Sequence, residues 1–185
     1  DTLTTCSSYD ADYGDVNGDG YVDLVTANYS CGSSYNNIFY GSASGYSDSN
    51  ADYLTHSYGI EVEVRDLNSD GFDDVVFSSY SSSAAAYVHW GALSGSSSST
   101  SFTVNYGWDL AIGDTDQDGY DDIFFCSRTT SDSYLYYGSS TGYSSSSYDT
   151  ITTDYAYSCE MEDLDGDGYP CLLYTSDAAD EVVGV

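Results

Sequence analysis

Acidic side chains occupy four of the five alternating positions of one short stretch, DTDQDGYDD, which runs from Asp114 to Asp122. Oxygen donors spaced in this way all point inward when a loop curls around a cation, and Ca²⁺ takes about 6–8 oxygens at about 2.3–2.6 Å. Gly119 stands at the sixth position, where the backbone must turn tightly. The stretch predicts a calcium loop whose ligands are the side chains of Asp114, Asp116, Asp118 and Asp122 and the backbone carbonyl of Tyr120.

The same pattern occurs three more times, and the first residues of the four copies lie 51, 48 and 49 positions apart. We number the copies loops one to four in chain order. A repeat of about 50 residues indicates supersecondary units that stack or are arranged radially. The candidate ligands are Asp15, Asn17, Asp19, Tyr21 and Asp23 in loop one, Asp66, Asn68, Asp70, Phe72 and Asp74 in loop two, and Asp163, Asp165, Asp167 and Tyr169 in loop four, where each aromatic residue offers its carbonyl.

Other interpretations of the loops fit the sequence less well. An EF-hand needs a glutamate at position twelve and flanking helices, whereas the twelfth residues here are Thr26, Phe77 and Phe125, inside strand patterns. A helical dockerin loop fails for the same reason, and a metal-free Asp/Gly turn would gather like charges without a counter-ion. Mg²⁺ is disfavoured because it keeps its waters. Loop three offers four carboxylates, so we expect it to bind calcium most tightly.

Short apolar runs flank the loops, and no stretch shows helical periodicity. The predicted strands are Tyr21–Ala27 and Asn37–Gly41 in the first unit, Ile60–Val64, Phe72–Ser78, Ala86–Gly91 and Ser101–Asn105 in the second, and Trp108–Gly113, Tyr120–Cys126, Tyr134–Gly138 and Asp149–Thr153 in the third. Residues 1–5 match the end of a unit and are expected to form a last strand. Four strands per unit predict an all-β fold of antiparallel propeller blades, with units at 6–55, 56–105 and 106–153 and a partial unit at 154–170.

The composition is strongly acidic, because 31 aspartates and glutamates stand against Arg65 and Arg128, giving a formal net charge of −29. Such a charge repels phosphate backbones and anionic lipids, so we expect no nucleic acid and no anionic membrane as a partner. No run of about 20 apolar residues is present, which predicts no membrane insertion in this segment.

The loop pattern D-x-[ND]-x-D-G-[YF]-x-D is followed by a Tyr-Gly or Trp-Gly pair and then by Gly-Tyr. The pairs are Tyr40-Gly41, Trp90-Gly91 and Tyr137-Gly138, followed by Gly45-Tyr46 and Gly142-Tyr143. This arrangement resembles the FG-GAP/VCBS repeats of integrin-α-type β-propellers. The resemblance implies Ca²⁺ in the hairpin between the first two strands of each blade and an extracellular or cell-surface location. Such propellers close with about seven blades. Residues 1–170 hold roughly three and a half, so we expect an incomplete ring whose remaining blades come from missing parts of the chain.

Residues 171–185 have no counterpart in the other units. Cys171 stands where an aspartate is expected at the ninth position of loop four, and the string that follows resembles the in-frame translation of a transposase-type sequencing adapter. Our hypothesis is that this segment is a non-native tail joined to a truncated gene. Resequencing the locus without that adapter tests it, and we assign no function to the tail.

The other four cysteines are Cys6, Cys31, Cys126 and Cys159, and four cysteines allow three pairings. An even number fits an oxidising compartment. We expect the pairs Cys6–Cys31 and Cys126–Cys159, because each would join elements of one unit or of adjacent units; free buried thiols are the alternative. No Cys-x-x-Cys or histidine-rich spacing indicates a zinc site.

Catalytic motifs are absent from the sequence. His56 and His89 stand at non-equivalent positions of different units, so structural roles are predicted for both. The serine-rich loops contain no nucleophile elbow. Acidic pairs such as Glu61 and Glu63 alternate along strands and are expected to be solvated or to lie close to an ion. We therefore expect that the chain is not an enzyme.

Two functions fit these features. The first is a calcium-binding propeller segment of a secreted or cell-surface protein that mediates adhesion or binds protein or glycan ligands. The second is a non-catalytic scaffold or accessory domain of an extracellular carbohydrate-active enzyme. Trp90, Trp108 and the many tyrosines could stack on sugars, although most are expected to pack between blades.

Overall fold

The chain folds into short antiparallel strands. The computed structural model describes residues 2–30, 36–56, 58–83, 85–96 and 98–176 together with the backbone of 182–184, and no helix is found in these ranges. The strands are β1 (Ser8–Gly14), β2 (Asp23–Asn28), β3 (Asn36–Phe39), β4 (Ala51–Leu54), β5 (Gly59–Arg65), β6 (Asp74–Ser79), β7 (Ala86–Trp90), β8 (Ser98–Phe102), β9 (Gly107–Gly113), β10 (Asp122–Ser127), β11 (Asp132–Tyr136), β12 (Tyr148–Thr152), β13 (Ser158–Glu162), β14 (Cys171–Thr175) and β15 (Val182–Gly184).

Each sheet is built from strands that are consecutive in sequence. Three sheets have four strands, β1–β4, β5–β8 and β9–β12, and a fourth contains β13, β14 and β15; all pairings within them are antiparallel. The first strands of successive sheets pack side by side, β1 on β5, β5 on β9 and β9 on β13. The fold is therefore the predicted all-β array of blades, and the four sheets form an incomplete propeller.

The cores lie between the blades, and the second strands of blades one to three are buried at nearly every position. In β6, Val75 and Phe77 face the core shared with blade one, whereas Val76 faces the core shared with blade three. This alternation is the two-residue period of a strand. A third core joins blades three and four, and Cys126 of β10 forms a disulfide there with Cys159 of β13. The predicted Cys126–Cys159 pair is thus confirmed, while Cys31 of the other pair lies outside the described residues.

Some predicted boundaries were wrong. Residues 2–6 form no strand; instead Thr4 bonds the carboxylate of Asp48, through its backbone N–H at 2.8 Å and its hydroxyl at 2.7 Å. The strand predicted at Ser101–Asn105 lies at Ser98–Phe102, because its serines pair with β7. The strands after the loops begin at the ninth loop residue instead of the seventh. No helix in the described ranges is long and apolar enough to cross a membrane.

Candidate metal centres

The four acidic loops occupy equivalent places in the fold. Each lies in the hairpin between the first and second strand of its blade, after β1, β5, β9 and β13. The first strands of successive blades pack side by side and neighbouring loops contact one another, so all four loops lie at the same end of the strands. The loops therefore lie in the hairpin where the family resemblance implies Ca²⁺, and the ion itself stays a prediction.

The backbone of each loop wraps around its own carboxylates. In loop one, Asp15 accepts hydrogen bonds from the N–H groups of Asp19 at 3.0 Å and Gly20 at 2.9 Å. Asn17 Oδ1 accepts a second bond from Asp19 N–H at 2.9 Å, and Asp19 Oδ1 accepts one from Tyr21 N–H at 2.9 Å. Gly20, at the sixth position, has φ of 84°. The side chains at positions one, three and five are thereby turned toward the inside of the loop.

Loops two and three repeat this network atom for atom. Asp66 and Asp114 each accept bonds from the fifth and sixth N–H groups at 2.9–3.1 Å. Loop four differs in one bond, since Asp163 accepts from Gly166 in place of Asp167, at 2.8 Å. The fourth residue also has positive φ, including the non-glycine residues Ser69 (58°) and Gln117 (59°). That second left-handed position was not predicted.

Two loops bring three carboxylates close enough to hold a metal ion. Asp114, Asp116 and Asp122 of loop three offer oxygens that all lie within 4.8 Å of one another, as do Asp163, Asp165 and Asp167 of loop four. Loops one and two have asparagine at the third position, so each offers one carboxylate fewer than loop three. Donors that are all oxygen fit a hard divalent cation. The other candidate ligands, including the four aromatic carbonyls, stay predictions.

The ninth aspartate of loops one to three has a second role that the sequence did not indicate. Asp23 is fully buried and accepts N–H bonds from Val16 at 3.0 Å and Gly41 at 2.9 Å. Asp74 bonds Leu67 and Gly91 in the same way. The carboxylate thus ties the start of the loop to the end of the third strand.

The glycine bound by this aspartate explains the Tyr-Gly and Trp-Gly pairs. A Cβ added to Gly41, Gly91 or Gly138 would collide with the carbonyl oxygen of the eighth loop residue, Val22, Asp73 or Asp121 respectively. Only glycine lets the two backbones approach so closely. The repeated glycine after the third strand was visible in the sequence, but the loop carbonyl that it contacts was not.

The ninth aspartate is buried, and ionising a buried carboxyl group is unfavourable. Desolvation raises the pKa of Asp74 to about 7, although the N–H groups of Gly91 and Leu67 lower it. It also raises the pKa of Asp23 and Asp122 above their usual range. A carboxylate in such a place is stabilised by a nearby cation. In loop four Cys171 begins β14 at this position, so loop four has no counterpart of this buried aspartate.

Neighbouring loops contact one another directly. The N–H of Asp15 in loop one donates to Asp73 Oδ2 of loop two at 2.7 Å, and Asp73 N–H donates back to the Asp15 carbonyl at 3.2 Å. Gln117 Nε2 of loop three donates to the Gly168 carbonyl of loop four at 2.7 Å. Sequence spacing gave no indication of these contacts, because they depend on how adjacent blades are placed.

Comparison with known families agrees with the repeat. The family model described as an FG-GAP-like repeat matches residues 15–77, 66–125 and 114–174. Each match begins at the first aspartate of a loop and ends within the second strand of the next blade. No curated protein matches the chain. Because the three matches together span most of the sequence, the chain belongs to the FG-GAP-like repeat family.

Proposed function

We propose that the chain is a calcium-stabilised propeller segment of a secreted or cell-surface protein, and that it binds a protein or glycan ligand instead of catalysing a reaction. The observation that carries the proposal is the fourfold recurrence of one loop geometry at one end of the blades. Calcium suits these loops because every donor is an oxygen and the ring of donors is flexible. The Cys126–Cys159 disulfide supports an oxidising compartment.

A row of aromatic residues lies at the opposite end of the strands from the loops. Tyr9 contacts Tyr29 with ring centroids 5.4 Å apart, and Tyr29 contacts Tyr80 at 6.2 Å. Tyr80 in turn meets Trp108 at 5.1 Å. Tyr9 and Trp108 stand at the start of a first strand, and Tyr29 and Tyr80 directly follow a second strand, so all four lie at the same end of the blades. We call this set, together with Arg128 and Tyr157, the aromatic row.

Arg128 continues the aromatic row into blade four. Its guanidinium carbon lies 4.0 Å from the centroid of Trp108 and 4.5 Å from that of Tyr157. A row of adjacent aromatic rings with one cation suits the apolar faces and hydroxyl groups of a sugar chain. Because the chain is strongly acidic, a neutral polysaccharide fits better than an acidic one. The same surface would serve an adhesion protein or an accessory domain of a carbohydrate-active enzyme.

Affinity electrophoresis in gels containing neutral or acidic polysaccharides tests this proposal. Tyr9 and Tyr157, 57% and 38% exposed, lie in the row, whereas Tyr13, 69% exposed, stands near the loop end of β1 and serves as the matched control. We expect Tyr9→Ser and Tyr157→Ser to weaken retardation by neutral polysaccharide and Tyr13→Ser to leave it unchanged. Equal retardation of all three variants, or none for the parent chain, contradicts glycan binding by this face.

A further inference from the structure

Two histidines that are far apart in the sequence lie side by side in the interface between blades one and two. The ring centroids of His56, which follows β4, and His89, in β7, are 4.9 Å apart with an angle of 42° between the planes. The ring of Tyr87 stacks on His56 with centroids 3.5 Å apart and an angle of 18°. The stacking holds the His56 imidazole against the blade that carries His89.

His89 has a buried nitrogen without a partner. Its side chain is only 5% exposed, and Nε2 accepts or donates no hydrogen bond within the described part of the chain. Leaving a buried polar atom without a hydrogen-bond partner is unfavourable, so such an atom indicates a missing partner. The pair also stays uncharged at neutral pH, because burial lowers the pKa of His89 to about 4 and lowers that of His56 below its ordinary value.

The other nitrogen of His89 is held by a series of hydrogen bonds. Nδ1 lies 3.4 Å from Ser96 Oγ. Ser96 N–H donates to the Tyr40 hydroxyl at 3.1 Å, and that hydroxyl donates to Asp52 at 2.8 Å. When Nδ1–H donates to Ser96 Oγ, the lone pair is on Nε2. Metal-binding histidines are fixed in this tautomer by outer partners of the same kind.

We propose that His56 and His89 form a two-imidazole site for a borderline divalent cation such as Zn²⁺, Cu²⁺ or Ni²⁺, with water completing the coordination. Imidazole nitrogen favours these ions, whereas the loops present only oxygen. With metal–nitrogen bonds of about 2.0–2.1 Å, two rings on one tetrahedral ion have centroids about 5 Å apart. The separation of 4.9 Å fits that geometry. The ion joins the end of blade one to the third strand of blade two, and this site is independent of the calcium loops.

Isothermal titration of metal-stripped full-length chain with zinc, in a saturating excess of calcium that fills the oxygen loops, tests the proposal. We expect the parent to bind one zinc ion per chain and His56→Gln and His89→Gln to lose that binding. Ser96→Ala removes the partner of Nδ1 and should weaken zinc binding about tenfold or more. Asp116→Asn, in loop three, is the control and keeps the zinc site.

Melting in calcium without zinc shows whether each variant folds. If His89→Gln does not fold, the partly exposed His56→Gln and the Ser96→Ala variant carry the test. Zinc uptake that persists in the folded His56→Gln variant overturns the proposal. So does a parent chain that takes up no zinc, which would leave the buried nitrogen to a water molecule.

Discussion

Arg65 Nε lies 2.8 Å from Asp121 Oδ2 and joins loop two to loop three. Arg65 directly precedes the first ligand position of loop two, and Asp121 directly precedes the ninth position of loop three. The contacts of Asp15 with Asp73 and of Gln117 with Gly168 link the other neighbouring loops. An ion that orders one loop therefore fixes a residue that contacts the next.

Replacing Arg65 should separate two properties of calcium binding. The Arg65→Gln variant loses the contact between loops two and three, so we expect a lower Hill coefficient in calcium titrations. It also removes a positive charge beside the sites, so the mean affinity should rise. Because the pair is partly exposed, the mean affinity should rise by about two- to fivefold, and the coupling free energy that is lost should be at most about 1 kcal/mol. Arg128→Gln, at the opposite end of the strands, is the control. Unchanged cooperativity in Arg65→Gln would rule out coupling through this pair.

The close approach at Gly91 predicts a large loss of stability on substitution. In Gly91→Ala the new methyl group would meet the Asp73 carbonyl, which cannot move away without breaking the hairpin. We expect a loss of about 3 kcal/mol or more in urea unfolding. Gly71→Ala is the comparison, because its φ is 89° but no atom lies within 4 Å of its Cβ. It should cost about 1–2 kcal/mol in backbone strain. Equal losses would contradict the assigned role of Gly91.

The first strands carry carboxyls whose pKa is raised. Burial first, then repulsion by Asp10 and Asp109, raises the pKa of Glu61 to about 8. Burial and the charge of Glu160 raise that of Glu63 to about 7, against the effect of Arg65. These acids come from adjacent blades around the axis, where Val62 N–H also donates to Asp10 at 3.1 Å.

These shifts predict an unusual pH dependence. Asp74, Glu63 and Glu61 bind protons more tightly when the chain is folded, so their contribution to stability is complete below about pH 4, near their unfolded pKa values. It is lost as the pH rises through about 7 to 8. In chelator, the free energy of unfolding should therefore fall from pH 4 to pH 8.

In saturating calcium the contribution of Asp74 to this pH dependence changes sign, because the bound ion keeps the carboxylate ionised. Acidification should then destabilise the fold. Urea unfolding between pH 4 and pH 8 measures the pH dependence of stability in chelator and in calcium. Stability that rises with pH in chelator would contradict the prediction.

The disulfide between blades three and four should stabilise the array. It closes a loop with a sequence separation of 33, for which the chain-entropy model gives about 3–4 kcal/mol. The double variant Cys126→Ala/Cys159→Ala should lose about that much in denaturant unfolding. Cys171→Ser, which changes a free and half-buried thiol, is the control. A loss below about 1 kcal/mol in the double variant would show that the bridge does not constrain the unfolded chain.

Particular residues show how far the sequence could predict this structure. The loops were placed correctly because alternating oxygens and a sixth-position glycine are local features, as in Asp114–Asp122. The strand after each loop was predicted to begin at Tyr21 or its equivalents, two residues early, because apolar character alone does not show where pairing starts. The partners of Gly91, Arg65 and His89 could not be predicted, since they depend on the distance between blades.

Scanning calorimetry of the metal-stripped chain, with and without calcium, tests the central claim that divalent ions bound by the loops hold the blades together. One site at a hundredfold excess over its dissociation constant adds about 2.7 kcal/mol. The unfolding temperature should then rise by at least about 5 °C, since 1 kcal/mol shifts it by about 2–4 °C in a chain of this size. Asp114→Asn should reduce the rise more than Asp15→Asn does. An unfolding temperature that is the same in calcium and in chelator, with no calcium uptake in a parallel titration, would contradict the account.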